Sequence, residues 1–232
     1  MSNLAALIQR IVQQELAQQR SSVLGVVAEI FPHTSADDNH NYEASIRLKH
    51  EDLELPKVPI VANYMGMAIP PKVGDLVLVQ FINGDLNQPV VTGRFYHADE
   101  QPPLHQENEI LFEQRVSDDT LNQLRFTTDG TIYLQRDVTA PEDNSAAKTS
   151  LKIDGSSGDV EVKAGEITIL ITNDTDIQIT ASGKPINIAC DALTVDCDST
   201  MTVNGNVEIN GDLTVATGTG STTISGNEIT GA

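Results

Sequence analysis

Residues 167–215 read ITILITNDTDIQITASGKPINIACDALTVDCDSTMTVNGNVEINGDLTV. Ile167, Ile169 and Ile171, then Ile177 and Ile179, alternate with Thr168, Thr172, Asp176, Gln178 and Thr180. The alternation resumes at Leu193, Val195, Cys197, Met201, Val203, Val207, Ile209, Leu213 and Val215, all on odd positions. Period-two alternation of β-branched and polar residues predicts short strands with one apolar face. The parity slips to even at Ile186 and Ile188. Gly183–Lys184–Pro185 before that pair and Asp191–Ala192 after it can absorb the change of phase. Asn, Asp and Gly recur at 173–176, 198–199, 204–206, 210–212 and 218–220, which mark turns.

Such strands offer files of small aliphatics one residue wide, too little area to offset the ordering of the backbone. Three copies wound about a common axis would bury the files against each other. A tight axis explains Val, Ile and Thr where a sandwich would use Phe and Trp. On this reading Cys197, which shares the parity of Val195 and Met201, is a small buried hydrophobe. Aromatic content agrees: the last ring is Tyr133, leaving 99 residues without one.

Towards the N-terminus the pattern changes. Residues 3–19, NLAALIQRIVQQELAQQ, place Leu4, Leu7, Ile8, Ile11, Val12 and Leu16 on one face. They predict an amphipathic helix within residues 1–21, capped by Ser2 or Asn3. Residues 22–98 then carry five strand-like runs: SVLGVVAEIF, YEASIRLK, KVPIVAN, DLVLVQF and PVVTGRFY. Turn signals at His33–Asn41, Glu51–Asp52, Pro70–Gly74 and Asn83–Pro89 separate them. Five strands in so short a span predict a small barrel of the OB type. Gln101–Pro102–Pro103 forms a stiff linker within 99–110, since proline cannot donate to a ladder. The needle is expected over 111–232.

The fold class is therefore all-β with a short N-terminal helix: an OB barrel followed by an intertwined or stacked trimeric β-helix or β-prism. Charge narrows the partners. The 232 residues carry 33 acidic and 14 basic side chains, a formal net charge of −19. Residues 1–104 account for −5 and residues 105–232 for −14. Nucleic-acid backbones and anionic membrane surfaces are bound by clustered Lys and Arg, so neither is an expected partner. A free-standing OB-type nucleic-acid binder also lacks stacking aromatics paired with cations. No apolar run approaches the roughly 20 residues of a membrane-spanning helix. No basic region followed by an apolar core opens the sequence, so no signal peptide is expected. Two cysteines, Cys190 and Cys197, make no disulfide framework, which fits assembly in a reducing cytoplasm.

The segment IPPKVGDLVLVQFINGDLNQPVVTGRFYHADEQPP, residues 69–103, resembles the baseplate spike proteins of contractile tails. A proline precedes a Val-Gly-Asp-x-Val strand, followed by a Gly-Asp turn, a Pro-Val-Val strand and a Gly-x-x-Tyr end. Pro71, Val73, Gly74, Asp75, Val77, Val79, Phe81, Gly84, Asp85, Pro89, Val90, Gly93 and Tyr96 carry the likeness. SVLGVVAEI and RFTTDGTIYL resemble the family's first OB strand and the start of its β-helix. The resemblance is to gene-product-V-type phage spikes and VgrG-like spikes of injection systems. It implies a homotrimer docked on a baseplate hub or tail-tube protein. Its needle would cross a target outer membrane when a sheath contracts. The particle would be assembled in the bacterial cytoplasm as part of a phage tail or tail-like particle.

Two departures bear on that implication. Some short spikes of this family end in a His-x-His pair that holds iron. Here all five histidines, His33, His40, His50, His97 and His105, precede residue 106, so no iron tip carries over. A separate PAAR-like tip protein is the expected partner of the end TTISGNEITGA. Nor is a lysozyme-like domain inserted between the OB and needle segments.

Chemistry elsewhere gives no assignment. A glycosidase acid needs an apolar, usually aromatic, wall that the needle lacks. His33 and His40 flank Asp37–Asp38 without a metal-ligand spacing and read as an exposed loop. Ser21–Ser22, Ser156–Ser157 and Cys197 lie in no nucleophile context. Asp174–Asp176 and Asp196–Asp198 lack calcium-loop spacing. The helix, with only Arg10 and Arg20 as nearby cations, suits a protein partner better than a membrane. No catalytic, metal-binding or cofactor-binding residue is assigned, and a non-catalytic spike is expected. The alternative, a trimeric receptor-binding or polysaccharide-degrading tail spike, calls for aromatic platforms and long stem loops.

Overall fold

A computed structural model describes residues 2–215, except residues 19, 118, 142 and 145. The chain divides into two units, residues 1–182 and residues 183–232. The tip segment 216–232, with Ile224 and Ile229, lies outside the described residues.

The first unit opens with helix α1 (Ser2–Gln18). The expected cap residues, Ser2 and Asn3, have side chains outside the described ones. Five strands follow: β1 (Val23–Phe31), β2 (Glu43–Leu48), β3 (Glu54–Pro59), β4 (Leu76–Phe81) and β5 (Pro89–Phe95). They pair in the order β3-β2-β1-β4-β5. The edge strands meet at one parallel bridge, Ile60 with Val91, where Val61 N–H donates to Val91 O at 2.9 Å. This gives the partly open five-stranded barrel of the OB type. Val27, Ile46, Val58, Val77, Val79 and Val91 fill its interior.

β3 starts at Glu54, three residues before the sequence reading. Pro56 and Lys57 hide the start. Ala44 pairs with Val58 but Ile46 pairs with Leu55, so the strand bulges there, with Lys57 at φ 50°. A bulge interrupts the alternation that marks a strand, and both prolines of β3 sit on the edge strand that tolerates them.

The second sheet is an antiparallel meander of seven strands. They are β6 (Ile110–Ser117), β7 (Thr120–Phe126), β8 (Ile132–Val138), β9 (Ala147–Ile153), β10 (Val160–Ala164), β11 (Ile167–Thr172) and β12 (Asp176–Ala181). Every neighbour in this sheet is consecutive in sequence. Within one chain the sheet is open, and no β-helix closes.

The second unit departs from the expected strands. Among its described residues none belongs to a strand, although bends fall at 184, 191, 198–199, 205 and 210–211, where the turn signals lie. The physical reason is that a strand needs a hydrogen-bonding neighbour, and the single chain supplies none here. In the single chain Cys190 and Cys197 are both exposed. Ile177, Ile179 and the aliphatics from Ile186 to Val215 are 50–68% exposed.

Candidate assembly surfaces

The register of the second sheet sorts its side chains into two unlike faces. Ile110 pairs with Phe126, Phe126 with Ile132, Ile132 with Ile153, Ile153 with Val160, Val160 with Ile171 and Ile171 with Ile177. Beside this file runs a second: Phe112, Leu124, Leu134, Leu151, Val162, Ile169 and Ile179, each paired with the next. Residues directly opposite in a ladder share a face, so the two files form one apolar stripe across all seven strands. Phe112, Leu134, Ile177 and Ile179 are more than half exposed.

The other face is polar, and around β7 and β8 the chain covers it itself. Gln123 Nε2 donates to Gln135 Oε1 at 2.6 Å, and both residues are buried. Gln135 Nε2 donates to Asn144 O. Arg125 is the centre of this cover: Nη1 donates to Glu109 Oε2 at 3.3 Å, and Nη2 donates to Leu104 O and Pro141 O, both at 3.1 Å. Its side chain is 7% exposed and that of Glu109 6%. One guanidinium thus ties the linker before β6 and the loop after β8 to the same strand. The face needing a partner is the apolar one.

Sequence reasoning missed this arrangement. TLNQLRF, residues 120–126, alternates Leu121, Gln123 and Arg125 inward against Asn122, Leu124 and Phe126 on the stripe. Apolar residues stand on both parities, so the periodicity alone does not say which face is buried.

In the barrel, the residues that carried the family likeness have backbone tasks. Gly74 adopts φ 100°, and its N–H donates to Val27 O at 2.9 Å, while Val27 N–H donates to Asp75 O at 3.0 Å. Asp75 Oδ2 accepts from Lys72 N–H at 2.9 Å, fixing the turn into β4. Asp85 accepts from Asn87 N–H and from Gln88 Nε2, both at 2.9 Å, and shapes the β4–β5 connection. The Asn87 amide first, then Gln88, holds its carboxyl below the usual range.

Two further apolar surfaces stand free on this part of the chain. Leu4, Leu7, Ile8, Ile11 and Val12 of α1 are all at least half exposed, and Leu16 lies outside the described side chains. Just after the helix, Arg20 meets Glu51 at 2.5 Å, which raises the guanidinium pKa and lowers that of the carboxyl. The second surface is the loop between β3 and β4, where Tyr64, Met65, Met67 and Ile69 are exposed. Tyr42 hydroxyl braces the loop by donating to Ile69 O at 2.8 Å and accepting from its N–H at 3.2 Å. A groove of about 900 Å³ lies beneath it, lined by Phe31, His40, Tyr42, Tyr64 and Met65 among others.

The polar clusters weighed from the sequence have local roles. Asp38 accepts from the amides of Thr34, Ser35 and His40 at 2.7, 2.9 and 3.1 Å and meets His33 Nδ1 at 2.5 Å. The Ser35 amide first, then His33, holds its carboxyl well below the usual range. His40 stacks on Phe31 with centroids 5.5 Å apart. Asp154 closes the β9–β10 turn: Lys152 first, then the Ser156 hydroxyl, holds it far down. Every carboxyl with a resolved shift, Asp38, Glu51, Asp85, Asp129, Asp154 and Asp176, moves down. Among the described residues no three His, Cys, Asp or Glu side chains converge to hold a metal ion. No described helix is long and apolar enough to cross a membrane.

Comparison with known proteins bears on the barrel. Residues 43–96 match the family model described as the type VI secretion system/phage-baseplate injector OB domain. The chain resembles VgrG-like baseplate spikes. It is 39% identical over 69 residues to the type VI secretion system spike protein VgrG3 of Vibrio cholerae, covering 28% of this chain and 7% of that protein. It is 37% identical over 65 residues to the V. cholerae actin cross-linking toxin VgrG1, covering 26% and 6%. It is 37% identical over 60 residues to the spike protein VgrG2a of Pseudomonas aeruginosa, covering 24% and 7%. The match therefore spans under a tenth of each relative, and the toxin's name describes that relative.

Proposed function

We propose that the chain is the non-catalytic central spike of a contractile tail or injection system. Three copies pack the needle, residues 111–232, about a common axis. The barrel, residues 22–98, and the helix in 1–21 dock on the baseplate hub or tube, with 99–110 as linker. A PAAR-like protein covers the far end, and the assembly is driven through the target envelope when a sheath contracts. One observation carries the reading: a two-file apolar stripe crosses seven strands, and Phe112, Leu134, Ile177 and Ile179 on it stand more than half exposed among the described residues. The barrel's likeness to spike proteins supports the setting.

The charge distribution fits the same reading. A chain with a net charge of −19 repels its copies, so association has to come from faces without acids. Both files of the stripe are free of Asp and Glu.

The test is sedimentation equilibrium of the full chain with its Val203→Asp variant. The parent chain is expected to be a trimer at micromolar concentration that resists SDS without heating. V203D is expected to be a monomer, because three like charges would meet on a dry axis, far costlier than one lost methyl contact. A monomeric parent chain overturns the proposal.

A further inference from the structure

Residues 185–198 consist of two seven-residue repeats, PINIACD and ALTVDCD. They superpose Ile186 on Leu193, Ile188 on Val195, Cys190 on Cys197 and Asp191 on Asp198. A bend falls at the end of each repeat, at 191 and at 198–199. Six-residue repeats follow, MTVNGN and VEINGD, superposing Met201 on Val207, Val203 on Ile209 and Gly205 on Gly211.

The bends in the first pair of repeats are not hairpins. In the second sheet the chain reverses through left-handed residues, at Gly158, Gly165 and Asp174. Between Gly183 and Gly205 no described residue has a positive φ. Among the described residues, no backbone hydrogen bond pairs one stretch of 185–215 with another. Among the described residues the segment thus forms no hydrogen-bonded ladder with itself. Its amide and carbonyl groups are left for a neighbour that presents the same extended pieces with the same spacing. A second copy of this chain is such a neighbour.

Charge sets the facing. Positions 186, 188, 190, 193, 195, 197, 201, 203, 207, 209, 213 and 215 hold only Ile, Leu, Val, Met or Cys. The acids of the segment, Asp191, Asp196, Asp198, Glu208 and Asp212, all lie at bends or on the opposite parity. In a chain this acidic, that segregation marks the uncharged parity as the face copies can share.

Resting on the trimer proposed above, we propose that Cys190 and Cys197 form two successive thiol layers inside the interwound needle. Each thiol then faces its own counterparts from the other two chains. Both cysteines are free and exposed among the described residues of the single chain. The repeat gives them the same inward position one bend apart. Pairing between copies in register places like residues side by side, so three Cys190 share one layer and three Cys197 the next.

Thiol titration of the native full chain with Ellman's reagent tests this beside sedimentation equilibrium. The expected result is a trimer in which neither thiol reacts, and in which both react per chain after denaturation without reductant. An A189C variant, with its added thiol on the outward parity, is expected to react at once in the native trimer. A trimer whose native cysteines react freely overturns the thiol layers and leaves the spike reading standing. A trimer in which the added thiol at position 189 is shielded as well overturns the assigned facing. A monomer overturns both the inference and the reading beneath it.

Discussion

Gly25 lies in β1 where the barrel wall closes on its core. A Cβ built there would stand 2.3 Å from Ile46 Cγ2, inside any contact distance, and Ile46 is fully buried. Gly25→Ala therefore overpacks the barrel and is expected to cost about 1–3 kcal/mol, read as a lower urea midpoint with an unchanged slope. An unchanged midpoint would mean that the wall yields at this point. Charge acts differently at Asp154, whose carboxyl is held below its ordinary value of 3.8 by Lys152 and the Ser156 hydroxyl. A group depressed on folding contributes stability above its unfolded pKa and loses it as pH falls through the folded value. The difference in melting temperature between the parent chain and Asp154→Asn should be full near neutral pH and shrink below about pH 4. Thermal melts across that range check it, and a difference independent of pH would remove the carboxylate from the account.

At the scale of elements, α1 has an apolar side that stands exposed among the described residues. Five apolar residues from Leu4 to Val12 stand at least half exposed, while the barrel is already filled by its own valines. Deleting residues 1–19 keeps Arg20 and its contact with Glu51, so the barrel should fold and the needle should still assemble. Incorporation into tail particles is expected to be lost. Normal incorporation of the truncated chain would show that docking does not use the helix. The elements also show where the sequence was legible. The barrel could be read because Gly74, Asp75 and Asp85 have turn tasks written in residue type, and because its strands find partners within the chain. β3 was misjudged at its start because the Pro56–Lys57 bulge breaks the alternation. The covered polar face was hidden because Arg125 and Gln123 are polar residues buried by loops, which periodicity reads as exposed. The bends at 191, 198–199, 205 and 210–211 were legible from their Asp, Asn and Gly residues, but strands between them were not formed. Strand propensity supplies an extended backbone; pairing needs a neighbour that one chain does not contain.

At the scale of the whole molecule, assembly has to settle both the sides of the needle and its end. The sides are addressed by the apolar stripe and the repeats, whose bends absorb the changes of parity so that small aliphatics recur as far as Val215. Beyond it, residues 216–232 read ATGTGSTTISGNEITGA, with Ile224 and Ile229 the only large aliphatics. No histidine lies past residue 105, so an imidazole ligand for iron is lacking in this stretch. Residues so small and polar offer a second copy little apolar area to bury. We therefore predict that the purified trimer contains no iron. It should retain a small PAAR-like protein when the two are expressed together, and elemental analysis and co-purification check the two halves of this prediction. Stoichiometric iron would show that ligands other than histidine close the end. Failure of a PAAR-like protein to co-purify, with the trimer intact, would mean that the needle completes its own tip.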